Sequence, residues 1–516
     1  MEHEKQPYQV GDNPRKFSVP GTERIFDRSE LLTVLMVPLA MVLMQISSVN
    51  IMLDTMSHSI GMGPAGQQWV LAGYVLATGI VLIPAGRLGD IFGRSSLFVI
   101  GLGVFSLASL ALTFAPNSTY LNIVRAIQGL GGGLFAPQTT GLIQQYFTGR
   151  ARAKAFAMFG LVVAFSVAAG PLLSGALITW FGPENGWRGS FLINFPLGHI
   201  GIILAFRWLP FTKERRHVGS HAHELEAQHK AEKAAHGQPV TTSKIDLDPI
   251  GAALITMSVL GVMLPFTLQG TWNWVFLPIA VVALIVWVLW ERSYKARGHF
   301  PMVDMELFRI PSYSYSMAIT GIQFMGATSI FVILAIYMQE GLNAPAMHVA
   351  LVGLPSAALG AVGSYVAGQY AFQHGRGIMV FGLLVNLVAV LSSTAVVIGI
   401  EHTGMSYWWL ALALALQGVG QGTLNTANQT QAMLEVPTSH GGTAGGVLQA
   451  AQRTTTAIGT AVITAVFFAT HSTSKNWHVA TMSAYLVIAG IITVALVISL
   501  LFWRKDYAVR HPKQMK

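Results

Sequence analysis

The chain has 516 residues, of which 53% are hydrophobic and 10% are charged, and its formal net charge is +9. A soluble domain usually carries about a quarter charged residues, so this composition excludes an ordinary soluble protein and indicates one built for lipid. The chain contains no cysteine, which excludes disulfide bonds, thiolate metal sites and cysteine nucleophiles.

Apolar runs of roughly 18–25 residues recur along the whole chain, and each is long enough to cross a hydrocarbon core of about 30 Å. Because backbone groups in lipid must pair within their own segment, the runs predict helices. We predict an all-α membrane protein with about fourteen transmembrane helices. The spans are expected near residues 31–53, 68–84, 96–114, 120–146, 155–180, 190–208, 250–268, 274–290, 315–338, 349–373, 378–400, 408–430, 443–469 and 484–503.

Basic residues are distributed unevenly between the two sides of these helices. Of the 31 Lys and Arg, 27 fall in the tails and alternate loops, whereas the opposite loops hold only Arg188 and Lys475. The other two, Arg125 and Arg453, lie within spans. Since Lys and Arg mark the cytoplasmic side, the pattern predicts a multi-pass protein of the plasma membrane with both termini in the cytoplasm. The positive charge then reflects orientation in the lipid bilayer, and no nucleic-acid partner is expected.

The first span contains the stretch MVLMQISSVNIMLD (41–54), in which polar groups interrupt an apolar run. Ser47, Asn50 and Asp54 are spaced by three and four residues and share one helical face, whereas Gln45 points elsewhere. Polarity without charge in the middle of a span is typical of a cavity wall that hydrogen-bonds solute or water.

Two patterns occur twice in the same order. GRLGDIFGR (86–94) is echoed by GQYAFQHGR (368–376), and QGLGGGL (128–134) is echoed by QGVGQGT (417–423). Such repeats are typical of transporters built from two related halves. The predicted organisation is an N-terminal tail (1–30), a six-helix half (31–210), a cytoplasmic linker (211–247), two inserted helices (248–292), a second six-helix half (293–503) and a C-terminal tail (504–516).

The linker contains HVGSHAHELEAQHKAEKAAH (217–236), and its histidines raise the question of a metal site. They show no regular ligand spacing and lie among Lys and Glu, so a solvated linker is favoured and no metal is expected.

Several segments resemble motifs of the major facilitator superfamily, and the chain as a whole is similar to its fourteen-helix drug:proton antiporter branch, the multidrug efflux type. The segments are AGRLGDIFGR (85–94), RAIQGLGGG (125–133), AAGPLLSG (168–175), WRGSFLINFPLG (187–198) and QAAQRTTTAIG (449–459). The resemblance implies two six-helix halves with two inserted helices. It also implies a small-molecule substrate and exchange for protons. That branch usually has an aspartate in helix one, at the position where alignment on Asn50 places Gln45.

Charged residues inside a span are functional candidates by default. Arg125 and Arg453 therefore qualify, and the resemblance implies a role for Arg125 in proton coupling or substrate binding. The alternative for Arg125 is a structural arginine that hydrogen-bonds carbonyl groups. No acid lies in the interior of a predicted span, which leaves Asp54 and Glu340, at outer ends, as further candidates for coupling.

Asp90 lies in a loop, where it can cap a neighbouring helix and pair with Arg94, closing the cytoplasmic side. The resemblance implies the same gating role, and the alternative is a solvated loop acid. Phe372 occupies the matching position of the second repeat and cannot pair with a charge, so only the first repeat could form a charged latch. A further hypothesis makes Gly170 and Pro171 a pliable point between the halves. The alternative is that they only allow the helices to pack closely. The gating candidates are Gly86, Asp90, Gly93, Arg94, Gly170 and Pro171.

Uncharged polar residues within spans are candidates for the wall of a central cavity, although some must simply bridge helices. In span twelve, Asn425 and Asn428 share a face with Gln421. The cavity candidates are Gln45, Ser47, Asn50, Tyr74, Arg125, Gln138, Gln323, Gln421, Asn425 and Arg453.

The sequence thus predicts a monomeric transporter that works by alternating access and exports a small amphiphilic organic solute, neutral or anionic, against inward proton flow. The alternative is an uncoupled facilitator, or a lipid or metabolite carrier, of the same fold. An enzyme is not expected, because no nucleophile–base or metal constellation occurs, and no cofactor is expected.

Overall fold

The computed structural model describes residues 8–10, 13–19, 23–211, 246–267 and 271–510, without the side chains of Asn50, Pro64, Thr271, Ala346 and 505–510. The histidines of the 211–247 linker lie outside the described residues.

Thirteen α-helices make up most of the described chain. They are α1 (Arg28–Ile60), α2 (Pro64–Phe92), α3 (Arg94–Thr113), α4 (Ser118–Tyr146), α5 (Gly149–Leu192), α6 (Asn194–Trp208), α7 (Pro249–Thr267), α8 (Phe276–Ala296), α9 (Pro311–Ile336), α10 (Ala346–Thr403), α11 (Leu410–Ala432), α12 (Gly441–Ser474) and α13 (Trp477–Arg510).

Two of these helices, α5 and α10, are each long enough to contain two membrane-spanning segments. α5 is interrupted at Gly182, whose φ of 80° is a conformation that glycine adopts easily, and α10 is interrupted at His374. In the described ranges, 10 helical stretches are long and apolar enough to cross a membrane, and two of them, of 60 and 57 residues, run through these interruptions. The all-α membrane fold is confirmed, and the number fourteen stays a prediction.

The helices form two packed groups. In the first, α1 packs against α5 and α6, and α4 packs against α2 and α3. In the second, α9 packs against α12 and α13, and α10 packs against α11. The halves meet where α2 contacts α12 and where α5 contacts α10. Of the inserted helices, which pack together, α7 also contacts both α2 and α12.

Both described ends of the chain lie at the same end of the bundle. Arg28, which begins α1, donates from Nε to the carbonyl of Tyr146 at the end of α4 (2.8 Å). Arg376, beside the interruption in α10, stacks 4.2 Å from the ring of Phe502 in α13. Gln144, in the last turn of α4, donates from Nε2 to the carbonyl oxygen of Met433, just after α11 (2.9 Å). We call this the tail end; that it faces the cytoplasm stays a prediction.

A short β-hairpin precedes α1, within the segment expected to be a tail. Strands β1 (Lys16–Ser18) and β2 (Ile25–Asp27) pair antiparallel, with Phe17 opposite Phe26. Both rings are buried, and Phe17 lies 5.0 Å from the ring of Tyr146. The alternation of polar and aromatic residues therefore attaches this segment to the end of α4, which the sequence analysis did not anticipate.

Candidate functional site

Asp90 lies in the last turn of α2 rather than in the predicted loop, and it caps the first turn of α12 in the other half. Its Oδ1 accepts a hydrogen bond from the Gly442 N–H (3.0 Å), and its Oδ2 accepts from the N–H and the hydroxyl of Thr443 (2.8 and 2.7 Å). The free N–H groups and the dipole of a helix N-terminus favour a carboxylate there. Asp90 is only 5% exposed, so water screens these bonds little.

Arg94, at the start of α3, completes this contact. Its Nη2 lies 2.7 Å from Asp90 Oδ1 and 2.5 Å from the Thr438 carbonyl, and its Nη1 lies 2.7 Å from the Gly141 carbonyl. One guanidinium thus joins α2, α4 and the segment before α12. We call Asp90, Arg94, Thr438, Gly442 and Thr443 the latch.

Two glycines give the latch its close geometry. A Cβ on Gly86 would lie 2.4 Å from the Gly442 carbonyl oxygen, so any side chain there would push α2 and α12 apart. Gly93, with φ 101°, makes the sharp turn from α2 into α3. The structure therefore brings together four of the predicted gating residues, Gly86, Asp90, Gly93 and Arg94; that they gate transport stays a prediction.

Further hydrogen bonds between the halves lie on the same side of the bundle. Gln144 donates to the carbonyls of Met433 and Val436 (2.9 and 2.7 Å), and Arg152 donates to Met433 (3.0 Å). Gln449, in the third turn of α12, donates to Ala136 (3.2 Å). These hydrogen bonds, like those of the latch, join the halves toward the tail end. The tail end is therefore closed.

Gly170 packs against α1 within the first half, and the pliable-point hypothesis for Gly170 and Pro171 stays a prediction. A Cβ on Gly170 would lie 2.2 Å from Ser47 Oγ and 2.4 Å from the Met44 carbonyl, both in α1 of the same half. The small residue allows α5 to approach α1 closely. The interruption of α5 occurs at Gly182 instead.

Arg125 is enclosed by neutral groups within the first half. It donates to the Val70 carbonyl (3.3 Å) and to Gln128 Oε1 (2.6 Å), and its guanidinium lies 4.4 Å from the ring of Tyr74. Arg125 and Tyr74 are each 2% exposed. In this conformation neither lines a cavity, and the geometry corresponds to the structural alternative for Arg125.

Three more cavity candidates instead bridge neighbouring helices. Gln45 is buried and accepts a hydrogen bond from Asn194 at the start of α6. Gln138 is buried and donates to the Ala85 carbonyl (2.8 Å). Ser47 bonds carbonyls of its own helix and faces α5. In this conformation each of the three side chains makes at least one hydrogen bond within the first half, and that they line a cavity stays a prediction. The side chain of Asn50 lies outside the described residues.

A smaller polar surface remains in the second half, and we call it the polar facet. Gln421 and Asn425 are half-buried on one face of α11, and Asn425 accepts a hydrogen bond from Gln323 of α9 (2.9 Å). Arg453 of α12 is half-buried and close enough to Tyr74 of the first half to interact with it electrostatically. The polar facet consists of the half-buried Gln421, Asn425 and Arg453, with the buried Gln323 bonded to Asn425, and Arg453 places it beside the first half. That it lines a cavity stays a prediction. Asn428 does not belong to the polar facet, because it is buried against Thr320 of α9 (2.5 Å).

The two outer acids are exposed. The Asp54 side chain is 87% exposed and lies 3.4 Å from His58 Nδ1. Glu340 is exposed in a π-helical turn, Tyr337–Gly341. Both acids therefore contact water in this conformation, and their role in proton coupling stays a prediction.

Sequence reasoning missed two buried acids on the inserted helices. Asp248 precedes α7 and Glu291 lies in the last turns of α8, one residue beyond the span expected there. Asp248 accepts hydrogen bonds from Gly251 N (2.9 Å) and Trp290 Nε1 (2.8 Å). An acid directly before Pro249 is a helix-start signal that could have identified Asp248. No comparable signal marks Glu291.

Comparison with known proteins identifies the family. A sequence profile described as "Major Facilitator Superfamily" matches residues 35–269, 247–460 and 320–515. A probable actinorhodin transporter of Streptomyces coelicolor is 30% identical over 408 residues, which cover 78% of this chain and 66% of the relative. The methylenomycin A resistance protein of Bacillus subtilis is 25% identical and covers 92% and 94%. The multidrug resistance protein Stp of Mycobacterium tuberculosis is 26% identical and covers 88% and 78%.

Solved structures agree on the fold. The human organic anion transporter MFSD10 (TETRAN) superimposes with a TM-score of 0.64 at 13% identity, covering 91% of this chain and 99% of that one. The proton:xylose symporter XylE gives 0.60 at 13% identity, covering 92% and 95%. The resemblance stated from the sequence motifs is confirmed: the chain belongs to the major facilitator superfamily and is a multi-pass membrane transporter rather than an enzyme.

Proposed function

We propose that this transporter exports a small amphiphilic organic solute, neutral or anionic, by alternating access and in exchange for protons. The names of its relatives support export of natural products and drugs, since one is a probable actinorhodin transporter and others confer resistance to methylenomycin A or to several drugs.

The observation that carries the proposal is the closed tail end together with a polar facet that lies beside the first half. The latch and the contacts of Gln144 and Arg152 hold the halves together at one end. Transport by alternating access then requires that these bonds break while bonds at the far end form.

The charge of the polar facet supports a neutral or anionic solute. Arg453 is half-buried beside the first half, and no acid among the described residues is paired with it. At an effective dielectric constant of 20, a unit charge at 4 Å contributes about 4 kcal/mol, attractive for an anion and repulsive for a cation. The site should therefore discriminate against quaternary ammonium compounds.

The second candidate function is an uncoupled facilitator, and the exposure of Asp54 and Glu340 favours it. An acid that is already hydrated in the closed-tail conformation has less reason to change its protonation during the cycle. Coupling through Asp54 would require its burial in another conformation.

Flux into proteoliposomes distinguishes the two functions. A fluorescent anionic amphiphile and a matched quaternary ammonium compound are offered with and without an imposed pH gradient. The proposal expects gradient-driven accumulation of the anion only, lost in Asp54→Asn. Equilibration of the anion without accumulation would show a facilitator. Strong accumulation of the cation would overturn the proposed substrate class, and coupling that survives Asp54→Asn would exclude Asp54 as its carrier.

A further inference from the structure

Glu291 is a buried carboxyl group without a hydrogen bond. It is 1% exposed, and neither of its oxygens has a hydrogen-bond partner among the described residues. The indole of Trp287 and the backbone of Met302 and Val303 face it without reaching hydrogen-bond geometry, and Trp287 Nε1 is itself unpartnered. An ionised carboxylate in such surroundings is strongly destabilised, whereas the protonated group is destabilised far less.

A second carboxylate lies next to it across Gly251. A Cβ built on Gly251 would lie 2.2 Å from Asp248 Oδ2 and 2.8 Å from Glu291 Oε1, so both oxygens border the same small space. Asp248 accepts bonds from Gly251 N, Trp290 Nε1 and Met302 N, which stabilise its charged form. Two carboxylates this close do not both ionise readily, and the unpartnered Glu291 is the one that holds the proton.

The pair is connected to the latch through Arg87 of α2. Arg87 interacts electrostatically with Asp90 of the latch and also with Asp246, Asp248 and Glu291. Its Nε is buried and unpartnered among the described residues. Arg87 thus lies within electrostatic range of both the acid that caps α12 and the acids of the insert.

Other titratable groups complete the surroundings of the pair. Tyr294 of α8 donates to Asp246 (2.5 Å), and His299, after α8, lies 3.2 Å from the same carboxylate. On the side of α12, His440 interacts with both Arg87 and Asp90. None of these groups is hydrogen-bonded to Glu291.

We propose that Glu291, paired with Asp248, is a proton-binding site on the inserted helices, which is occupied while the latch is closed and releases its proton when the tail end opens. Because α7 contacts both α2 and α12, separation of those two helices disturbs the packing around Gly251 and admits water to Glu291. The ionised group then attracts Arg87, and this attraction competes with the attraction between Arg87 and Asp90 of the latch. By linkage, protons that bind the closed state more tightly favour closure, so a fall in pH closes the tail end and a rise opens it.

The inference rests on the proposed alternating access, but on neither the proposed substrate nor the proposed direction of transport. The first test detects the bound proton itself. Infrared difference spectra of the purified full chain in lipid nanodiscs should show a protonated carboxyl band at neutral pH. That band should be absent in Glu291→Gln and retained in Glu30→Gln, an exposed acid in the first turn of α1. Absence of the band in the wild type overturns the proposal, as does its persistence in Glu291→Gln.

The second test measures closure. Because the chain has no cysteine, Arg150→Cys and Gln373→Cys place unique spin labels on exposed residues of the two halves at the tail end. The ratio of open to closed molecules should rise by up to about tenfold per pH unit in the wild type and in Glu30→Gln. In Glu291→Gln it should stay low and independent of pH. An unchanged pH dependence in Glu291→Gln overturns the proposal. If no variant opens at any pH, alternating access has failed, and the infrared band still decides the proton site.

Discussion

The two halves share a repeated sequence, but they close the tail end differently. The repeat-related Gly86 and Gly368 are used alike: a Cβ on Gly86 would meet the Gly442 backbone at 2.4 Å, and one on Gly368 would meet the Ala157 side chain at 2.1 Å. The charged positions diverge. Asp90 caps a helix of the other half, whereas Phe372, at the matching position, packs against the apolar core of its own half.

The intramembrane arginines differ in a similar way. Arg125 of the first half is enclosed by neutral partners, and Arg453 of the second half is half-buried near Tyr74 of the first half. Glycine contacts thus bring the halves together symmetrically, whereas the charged contact depends on an acid of the first half and the half-buried intramembrane arginine belongs to the second.

The largest effect is expected from Asp90→Asn. It removes the charge that pairs with buried Arg94 and leaves the start of α12 with a weaker cap, at a cost on the order of 3 kcal/mol to the closed state. The open-to-closed ratio, measured with the label pair at residues 150 and 373, should rise about 100-fold. The central site is untouched. Loss of solute affinity with unchanged populations would contradict the gating role of Asp90.

Gly86→Ala and Gly368→Ala test the symmetric part of the comparison. Each adds a methyl group that must displace the other half, so each should shift the equilibrium towards the open tail end by about 1–3 kcal/mol. Gly86→Ala should have the larger effect, because it meets backbone that cannot move aside.

Gly353→Ala is the matched control, since no atom lies within 4 Å of a Cβ there. Adding Ala157→Gly should rescue Gly368→Ala but not Gly86→Ala. Equal opening in the control would show that the glycines act through helix propensity rather than through close contact.

Arg125→Ala and Arg453→Ala test the difference between the two arginines. Arg125→Ala removes the donor to buried Gln128 Oε1 and the guanidinium beside the Tyr74 ring, and it should lower thermal stability. Arg453→Ala should leave stability nearly unchanged and reduce anion flux at least tenfold, because about 1.4 kcal/mol of attraction suffices for that factor. Both variants are compared by melting temperature and by flux. Full anion flux in Arg453→Ala would remove it from the solute path.

The smallest effect is expected from Arg376→Gln. Arg376 stacks on Phe502 in its own half, and such a contact near water contributes about 0.5–1 kcal/mol. The ratio of open to closed molecules should therefore change by no more than about twofold to fivefold. An effect as large as that of Asp90→Asn would show that the second repeat also carries a charged latch.

The sequence by itself determined the membrane fold, the family and the two latch residues of the first half, Asp90 and Arg94. Apolar run length and the order of glycines, aspartate and arginine in GRLGDIFGR are local properties, and lipid allows few structures that satisfy them. The capping role of Asp90 could be anticipated for the same reason, since a helix N-terminus attracts a carboxylate wherever it approaches one.

Only the tertiary structure decided which polar groups are buried against a partner and which stay half-buried. Gln45, Gln138 and Arg125 resemble cavity residues in sequence, but helix rotation and the nearest carbonyl or amide placed them inside the first half. Glu291 follows a predicted span and is adjacent to Arg292, so it looked like a solvated end. Packing of α7 on α8 buried it beside Asp248 instead. These outcomes depend on contacts between segments far apart in the chain, and no local pattern records them.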